Sequence, residues 1–479
     1  MIRRFLRDSA IYGLSAVIGR GLNLLFVPFY TRVLTPSDYG IFDIATVFLS
    51  FVSLTVALEI SQALARFLPD AERDEERISI ASTALLFTLA SYAVFAVVAF
   101  VAAEPIGQLL FADEAPPSFM TIVIVAALVS GVFYLVLNQL RWQLLPMQYA
   151  VANLVFAVVS IALTVVLVLA LRMGVSGVVI GQVGGTLAGL AVAWRYASPL
   201  YRLQLDTTLL GQMLAFSLPL VPSSIGVFVT LYIDRIAIRS LMTFTDVGLF
   251  GIGFRVATIV SLLTIGFQTA ITPLIYSRYR EELFPGELAR MFRSYLALAV
   301  LMATTLAVFA REILTVLTTP EYVAGAVVVP FLSAAILLST MYVFAPGLAI
   351  AKRTVFTSVL SIGGAVANTI LNFALIPVLG IIGAALATLI ANAAVFAGYM
   401  VTSQRIYPVP HRWGPLALAV VVAAAAYGVS TLAGDPSVTS FLLKAGIIVA
   451  TAAAMVAIGL VRVHEVRTLL VQVGSWLGR

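Results

Sequence analysis

The chain has 479 residues, of which 61% are hydrophobic and only 10% charged, with a formal net charge of +6 and a mean hydropathy of +1.07. A soluble domain usually carries about 25% charged residues, so there is too little polar surface here to keep the chain in water. That excludes a soluble enzyme, a nucleic-acid-binding protein and a disordered scaffold.

At about 20 apolar residues per crossing, the sequence predicts an all-α polytopic membrane protein with fourteen spans, because only helices or closed barrels satisfy the backbone in lipid. In chain order they run roughly over 10–34, 40–65, 78–102, 118–140, 148–171, 174–194, 211–233, 246–272, 293–317, 326–350, 355–378, 380–402, 415–433 and 440–461. They are called spans 1 to 14 below. Thr35-Pro36-Ser37-Asp38, Pro116-Pro117, Pro408-Val409-Pro410 and Gly434-Asp435-Pro436 punctuate the joints. The apolar stretch behind Arg3, Arg4 and Arg7 is too long for a signal-peptide core, contains Arg20 and leads straight into another span. It is therefore expected to be a permanent helix.

Cations orient the spans. The N-terminal tail and the even-numbered loops hold most of the 28 lysines and arginines, among them Arg66, Arg73, Arg141, Arg278, Arg353 and Arg412. Clear positions on the other side are left to Arg172 and Arg311. The positive-inside rule then places both termini in the cytoplasm. The basic pI is a topology signal and not a nucleic-acid footprint.

The sequence also repeats itself. At an offset of 208, Leu34-Thr35-Pro36-Ser37-Asp38-Tyr39-Gly40-Ile41-Phe42 lies over Met242-Thr243-Phe244-Thr245-Asp246-Val247-Gly248-Leu249-Phe250. Near an offset of 206, Met173-Gly174-Val175-Ser176-Gly177 lies over Leu379-Gly380-Ile381-Ile382-Gly383. Spans 1–6 and 7–12 thus read as two copies of one six-helix unit. An even helix count makes the repeat parallel, and transporters built this way place substrate at the repeat interface. The expected organisation is an N-terminal six-helix lobe over 1–197, a cytoplasmic linker over 198–210, and a second six-helix lobe over 211–404. Two extra spans and a cytoplasmic tail follow over 405–479.

The stretch Gly19-Arg20-Gly21-Leu22-Asn23-Leu24-Leu25-Phe26-Val27-Pro28-Phe29-Tyr30-Thr31-Arg32, continuing to Gly40, resembles the opening of polysaccharide transporters. These are the Wzx-type O-antigen and exopolysaccharide flippases of the multidrug/oligosaccharidyl-lipid/polysaccharide exporter superfamily. Tyr232-Ile233-Asp234-Arg235 followed by Asp246-Val247-Gly248-Leu249-Phe250 is similar to the second-half signature of that family. The resemblance implies a flippase that carries an undecaprenyl-diphosphate-linked oligosaccharide across the bacterial inner membrane by alternating access. Such a protein would serve lipopolysaccharide or exopolysaccharide biosynthesis. The resemblance further implies membrane lipids, a polysaccharide polymerase and its co-polymerase as partners. The alternative on the same architecture is a cation-coupled multidrug exporter, which would need an acidic, aromatic cavity.

Ionisable groups inside a span are costly and default to functional candidates. Arg20 and Asn23 lie near the middle of span 1, and Arg255 a third of the way into span 8. Arg32, Arg235 and Arg239 lie toward the ends of spans 1 and 7. A guanidinium fork matches phosphate oxygens bidentately, so these six residues form the candidate cavity for diphosphate and sugar. Snorkelling is the plainer reading for Arg32, Arg235 and Arg239, and a structural ion pair is the plainer one for Arg20 and Arg255.

On span 2, Asp43, Thr46, Ser50 and Ser53 share one face of the outer half, and Thr55, Glu59, Gln62 and Arg66 one face of the inner half. Asp43 is expected to pair with Arg255 or Arg32, and Glu59 to pair with Arg20 or take up a proton. Asp43, Glu59 and Asp234 are the candidates for ion coupling or charge pairing. Asn368, Asn372 and Asn392 read as helix-bridging amides, and Gly181, Gly185 and Gly189 as a close-packing edge.

No cofactor or metal is expected. The chain has no cysteine, which removes disulfides, thiolate nucleophiles and Cys-type metal sites, and the histidines are His411 and His464 alone. The lysines are Lys352 and Lys444, neither in a phosphate-binding loop. Short external loops leave a membrane enzyme no room for a catalytic domain.

Overall fold

The computed structural model describes residues 27–112, 114–434 and 437–460. Those residues are helical or irregular throughout, and thirteen helices are long and apolar enough to cross a membrane. The thirteen correspond to the expected spans 2 to 14. Of span 1 only the helix Val27–Val33 is described, so Arg20 and Asn23 lie outside the described residues.

Contacts divide the chain into two compact units, 1–248 and 249–479. In the first, Thr35 starts span 2 as an N-cap. Its backbone N–H donates to Asp38 Oδ2 at 3.2 Å while its hydroxyl accepts from the Asp38 N–H at 3.2 Å, with Pro36 fitting the first turn. The same reciprocal cap recurs between Thr243 and Asp246, at 3.1 and 3.3 Å. The repeated motif is thus a pair of capping boxes. Its glycines meet: a Cβ on Gly40 would strike the Phe244 carbonyl, and one on Gly248 the Pro36 carbonyl.

Span 2 departs from expectation. It runs as Pro36–Thr55, breaks, and resumes as Ile60–Phe67, with Leu58 at φ 48 and Glu59 at φ 56. Left-handed backbone at a non-glycine residue costs roughly 1–2 kcal/mol. The expected inner stripe of Thr55, Glu59, Gln62 and Arg66 is therefore not one helical face. Glu59 is buried, whereas Gln62 and Arg66 are exposed, and Arg66 pairs with Asp70.

Span 7 is longer than hydropathy predicts. It extends over Thr207–Leu241, with a 3-10 turn at Leu218–Leu220 where Pro219 removes a donor. It packs along span 2. The connection before it is stapled to span 3, with the Arg202 N–H donating to Ser82 Oγ at 2.8 Å and the Asp206 N–H to Thr83 Oγ1 at 3.2 Å.

Spans 5 and 6 form a hairpin in which Gly181, Gly185 and Gly189 press against Thr164, Ser160 and Phe156. This is the close packing that small residues allow between helices in lipid. The hairpin turns through Gly174 at φ 53, and its counterpart in the second unit turns through Gly380 at φ 59. Both positions favour glycine, and they match in the sequence repeat.

The second unit is built on Phe292, Tyr295 and Phe344, whose rings lie 5.0 Å apart in two pairs. Asn392 bridges helices by donating to the Ala335 carbonyl at 3.1 Å. Asn372 instead donates to Asn368 Oδ1 on its own helix at 3.0 Å. Span 14 carries a buried Lys444, which donates to Glu312 Oε1 at 2.5 Å.

Candidate functional site

Within the first unit the polar residues of spans 2 and 7 converge in one antiparallel seam. On span 7, Ser224, Phe228, Tyr232, Arg235 and Arg239 recur at i+3 or i+4 spacing, which sets them along one helical face. Ser224 donates to Glu59 Oε1 at 2.5 Å. Phe228 lies against Phe51, ring centres 5.2 Å apart. Tyr232 Oη accepts from Ser50 at 3.0 Å, and Arg235 Nε donates to Asp43 Oδ2 at 2.6 Å. Further along, Arg239 Nε donates to the Leu110 carbonyl at 3.2 Å, and its guanidinium caps the Phe244 ring at 4.2 Å.

The two carboxylates of the seam differ in their surroundings. Asp43 is 5% exposed and Arg235 5% exposed, and Arg235 also reaches the Leu231 carbonyl at 3.3 Å. Two charges so deeply buried are tolerable only together. The partner of Asp43 is thus Arg235, where Arg32 or Arg255 was expected, and Arg235 does not snorkel. Its neighbour Asp234 is buried as well. Among the described residues Glu59 accepts from the neutral Ser224 hydroxyl and pairs with no cation. It borders a small cavity with Ser53, Ser61, Thr88, Tyr92 and Tyr134.

Of the other sequence candidates, Arg32 is exposed and reaches the Pro28 carbonyl at 3.4 Å. Arg255 is half-buried in the second unit, where Thr258 Oγ1 donates to its carbonyl at 2.7 Å. The seam therefore gathers Asp43, Glu59, Arg235 and Arg239, with Asp234 buried next to Arg235 in sequence. Ser224 was missed, although its spacing from Tyr232 and Arg235 would have placed it on their face. Tyr134 and Ser61 were missed for lack of any sequence signal.

Among curated proteins none matches the chain significantly. Among solved structures, the fold is similar to that of the lipid II flippase MurJ in an inward closed conformation. That match has a TM-score of 0.72 and 14% identity over 94% of this chain and 98% of that one. It is also similar to an inward-facing multidrug resistance MATE family transporter of the MOP superfamily, with a TM-score of 0.60, 16% identity, and 81% and 94% coverage. An outward-facing MATE transporter gives 0.55, 16%, and 84% and 96%. At these identities the likeness defines the fold, which is that of MOP-superfamily transporters. The family model described as "Polysaccharide biosynthesis protein" matches residues 5–279, more than half of the chain, and the chain belongs to that family.

Proposed function

We propose that the protein is a flippase that moves an undecaprenyl-diphosphate-linked oligosaccharide across the bacterial inner membrane for O-antigen or exopolysaccharide export. The observation that carries this reading is the polysaccharide-family match over 5–279, the stretch that also bears the intramembrane arginines. The likeness of the fold to a lipid II flippase supports a lipid-linked cargo. In this reading Arg20, Asn23, Arg32, Arg239 and Arg255 meet the diphosphate and sugar, because guanidinium forks match phosphate oxygens. Arg235, already held by Asp43, fixes span 7 on span 2. Glu59 is the coupling residue, with Asp43 and Asp234 structural.

The lobes 1–197 and 211–404 alternate in access about the 198–210 linker, with both termini cytoplasmic as the arginine distribution predicts. Polysaccharide polymerase and co-polymerase are the natural partners downstream. The test is flipping of a labelled polyprenyl-diphosphate oligosaccharide in proteoliposomes. Arg20→Ala and Arg255→Ala are expected to abolish it at normal expression, and wild-type rates from both would sink the reading. The multidrug alternative, favoured only by the MATE likeness, predicts efflux of organic cations from the same vesicles.

A further inference from the structure

At the start of span 9 in the second unit lies a cavity of ≈310 Å³ lined by Arg290, Arg293, His411 and Arg412, with Phe292 and Leu416 behind them. Arg290 and Arg293 come from the first turns of the helix Phe284–Val308. Arg412 is the residue just before the helix Trp413–Ser430. The cavity therefore sits at the starting ends of two apolar helices, beside loops that the arginine distribution assigns to the cation-rich side.

Arg290 and Arg412 are exposed, and among the described residues neither side chain has a hydrogen-bond or ion-pair partner. The acid one turn before Arg290, Glu287, is held by Arg278 at 2.8 Å. Arg293 is only 7% exposed, so one cation of the group is built into the protein and is not merely displayed on it.

The imidazole completes the case. His411 is clamped between Phe292 and Trp413, with ring centres at 4.7 and 5.3 Å. Both of its ring nitrogens are buried and neither has a hydrogen-bond partner among the described residues. A buried polar atom ordinarily finds one. Three guanidiniums and an unmatched imidazole around one cavity describe a receptor for several anionic oxygens at once.

We propose that this cavity binds a phosphate group, held by Arg290, Arg293 and Arg412 and hydrogen-bonded by His411. Basic pockets between spans on the cytoplasmic side are suited to anionic lipid head groups, and a soluble phosphate compound offers the same chemistry. The proposal stands apart from the flippase reading, since it concerns neither the seam nor the cargo.

The test uses the full-length protein, stripped of lipid in maltoside micelles. Its thermal unfolding is followed against dihexanoyl phosphatidylglycerol, dihexanoyl phosphatidylcholine and inorganic phosphate. Saturable stabilisation by phosphatidylglycerol and not by phosphatidylcholine is expected, weakened about tenfold or more in the double variant Arg290→Gln, Arg412→Gln. Both of these side chains are exposed, so folding is preserved. The double variant Arg195→Gln, Arg353→Gln removes equal charge elsewhere and is expected to bind as the wild type. Competition by inorganic phosphate identifies a soluble ligand, and its absence a lipid head group. Equal binding by the first double variant, or equal loss in the second, overturns the site.

Discussion

Asp43 and Arg235 stand 192 residues apart in sequence and 2.6 Å apart in space, each with almost no exposure. The pair joins span 2 to span 7 inside the first unit, so each charge is the condition for burying the other. Removing one partner of such a pair costs about 3–5 kcal/mol, whereas replacing both by apolar groups of similar volume is often neutral. Asp43→Asn and Arg235→Met are each expected to lower the midpoint of thermal unfolding in detergent. The double variant Asp43→Leu, Arg235→Met is expected to recover most of that loss. A double variant no more stable than the singles would remove the latch role.

Gly40 and Gly248 make a second, purely steric joint. Each approaches the other helix so closely that a methyl group would meet a backbone carbonyl, and a backbone cannot rotate aside as a side chain can. Gly40→Ala and Gly248→Ala are expected to destabilise by about 1–3 kcal/mol, the usual cost of overpacking. Gly226→Ala, on span 7 with nothing within 4 Å, is the control. It is expected to be neutral or stabilising by up to about 1 kcal/mol, from helix propensity alone.

These joints show what the sequence discloses and what it withholds. The spans were legible because apolar length is a local property. The recurrence of the Thr-x-x-Asp segment at a fixed offset exposed the repeat, whereas its use as a pair of capping boxes emerged only with the structure. The break at Leu58 and Glu59 was not, since neither residue is a glycine or proline and only tertiary contacts hold them at positive φ. The choice of Arg235 as the partner of Asp43 was withheld for the same reason. Span 7 continues past the charges, and a hydropathy window stops at an arginine whether or not that arginine is neutralised. Lys444 falls inside span 14 and Glu312, which pairs with it, near the end of span 9, and nothing local to either segment shows that the two meet.

In the flippase reading Glu59 is the coupling residue, and among the described residues the Ser224 hydroxyl, not a cation, faces it. Glu59→Gln keeps the hydrogen bond with Ser224 and the size of the side chain while removing the proton site. Flipping in proteoliposomes is expected to lose its response to an imposed pH gradient, with thermal stability unchanged. A variant as gradient-sensitive as the wild type would place coupling elsewhere. Ser224→Ala, which leaves the carboxyl in place, is expected to keep the response.

Burial pushes the His411 imidazole down to about 4 from its ordinary 6.5. The unfolded chain then binds the proton that the folded one refuses, so stability falls as the pH drops from about 6.5 toward 4 and is level above that window. His411→Phe is expected to flatten the profile between pH 7 and 5 in micelles free of phosphate and anionic lipid. An unchanged slope would show that other groups carry the acid sensitivity.

Lys444 and Glu312 anchor span 14 to the helix that follows span 9, at 2.5 Å and with the ammonium 3% exposed. The second oxygen of Glu312 is buried without a partner among the described residues, so the lysine alone offsets that charge. Lys444→Met therefore leaves a carboxylate in an apolar surrounding, which it can escape only by taking up a proton. The variant is expected to be destabilised by about 3–5 kcal/mol at neutral pH and less so in acid, because an unpaired buried charge is what costs stability. Adding Glu312→Gln is expected to restore stability at pH 7 and to remove the pH dependence. Thermal unfolding of the three proteins at pH 5 and pH 8 reads out both effects, and a Lys444→Met protein equally stable at the two values would show that Glu312 is solvated without its partner.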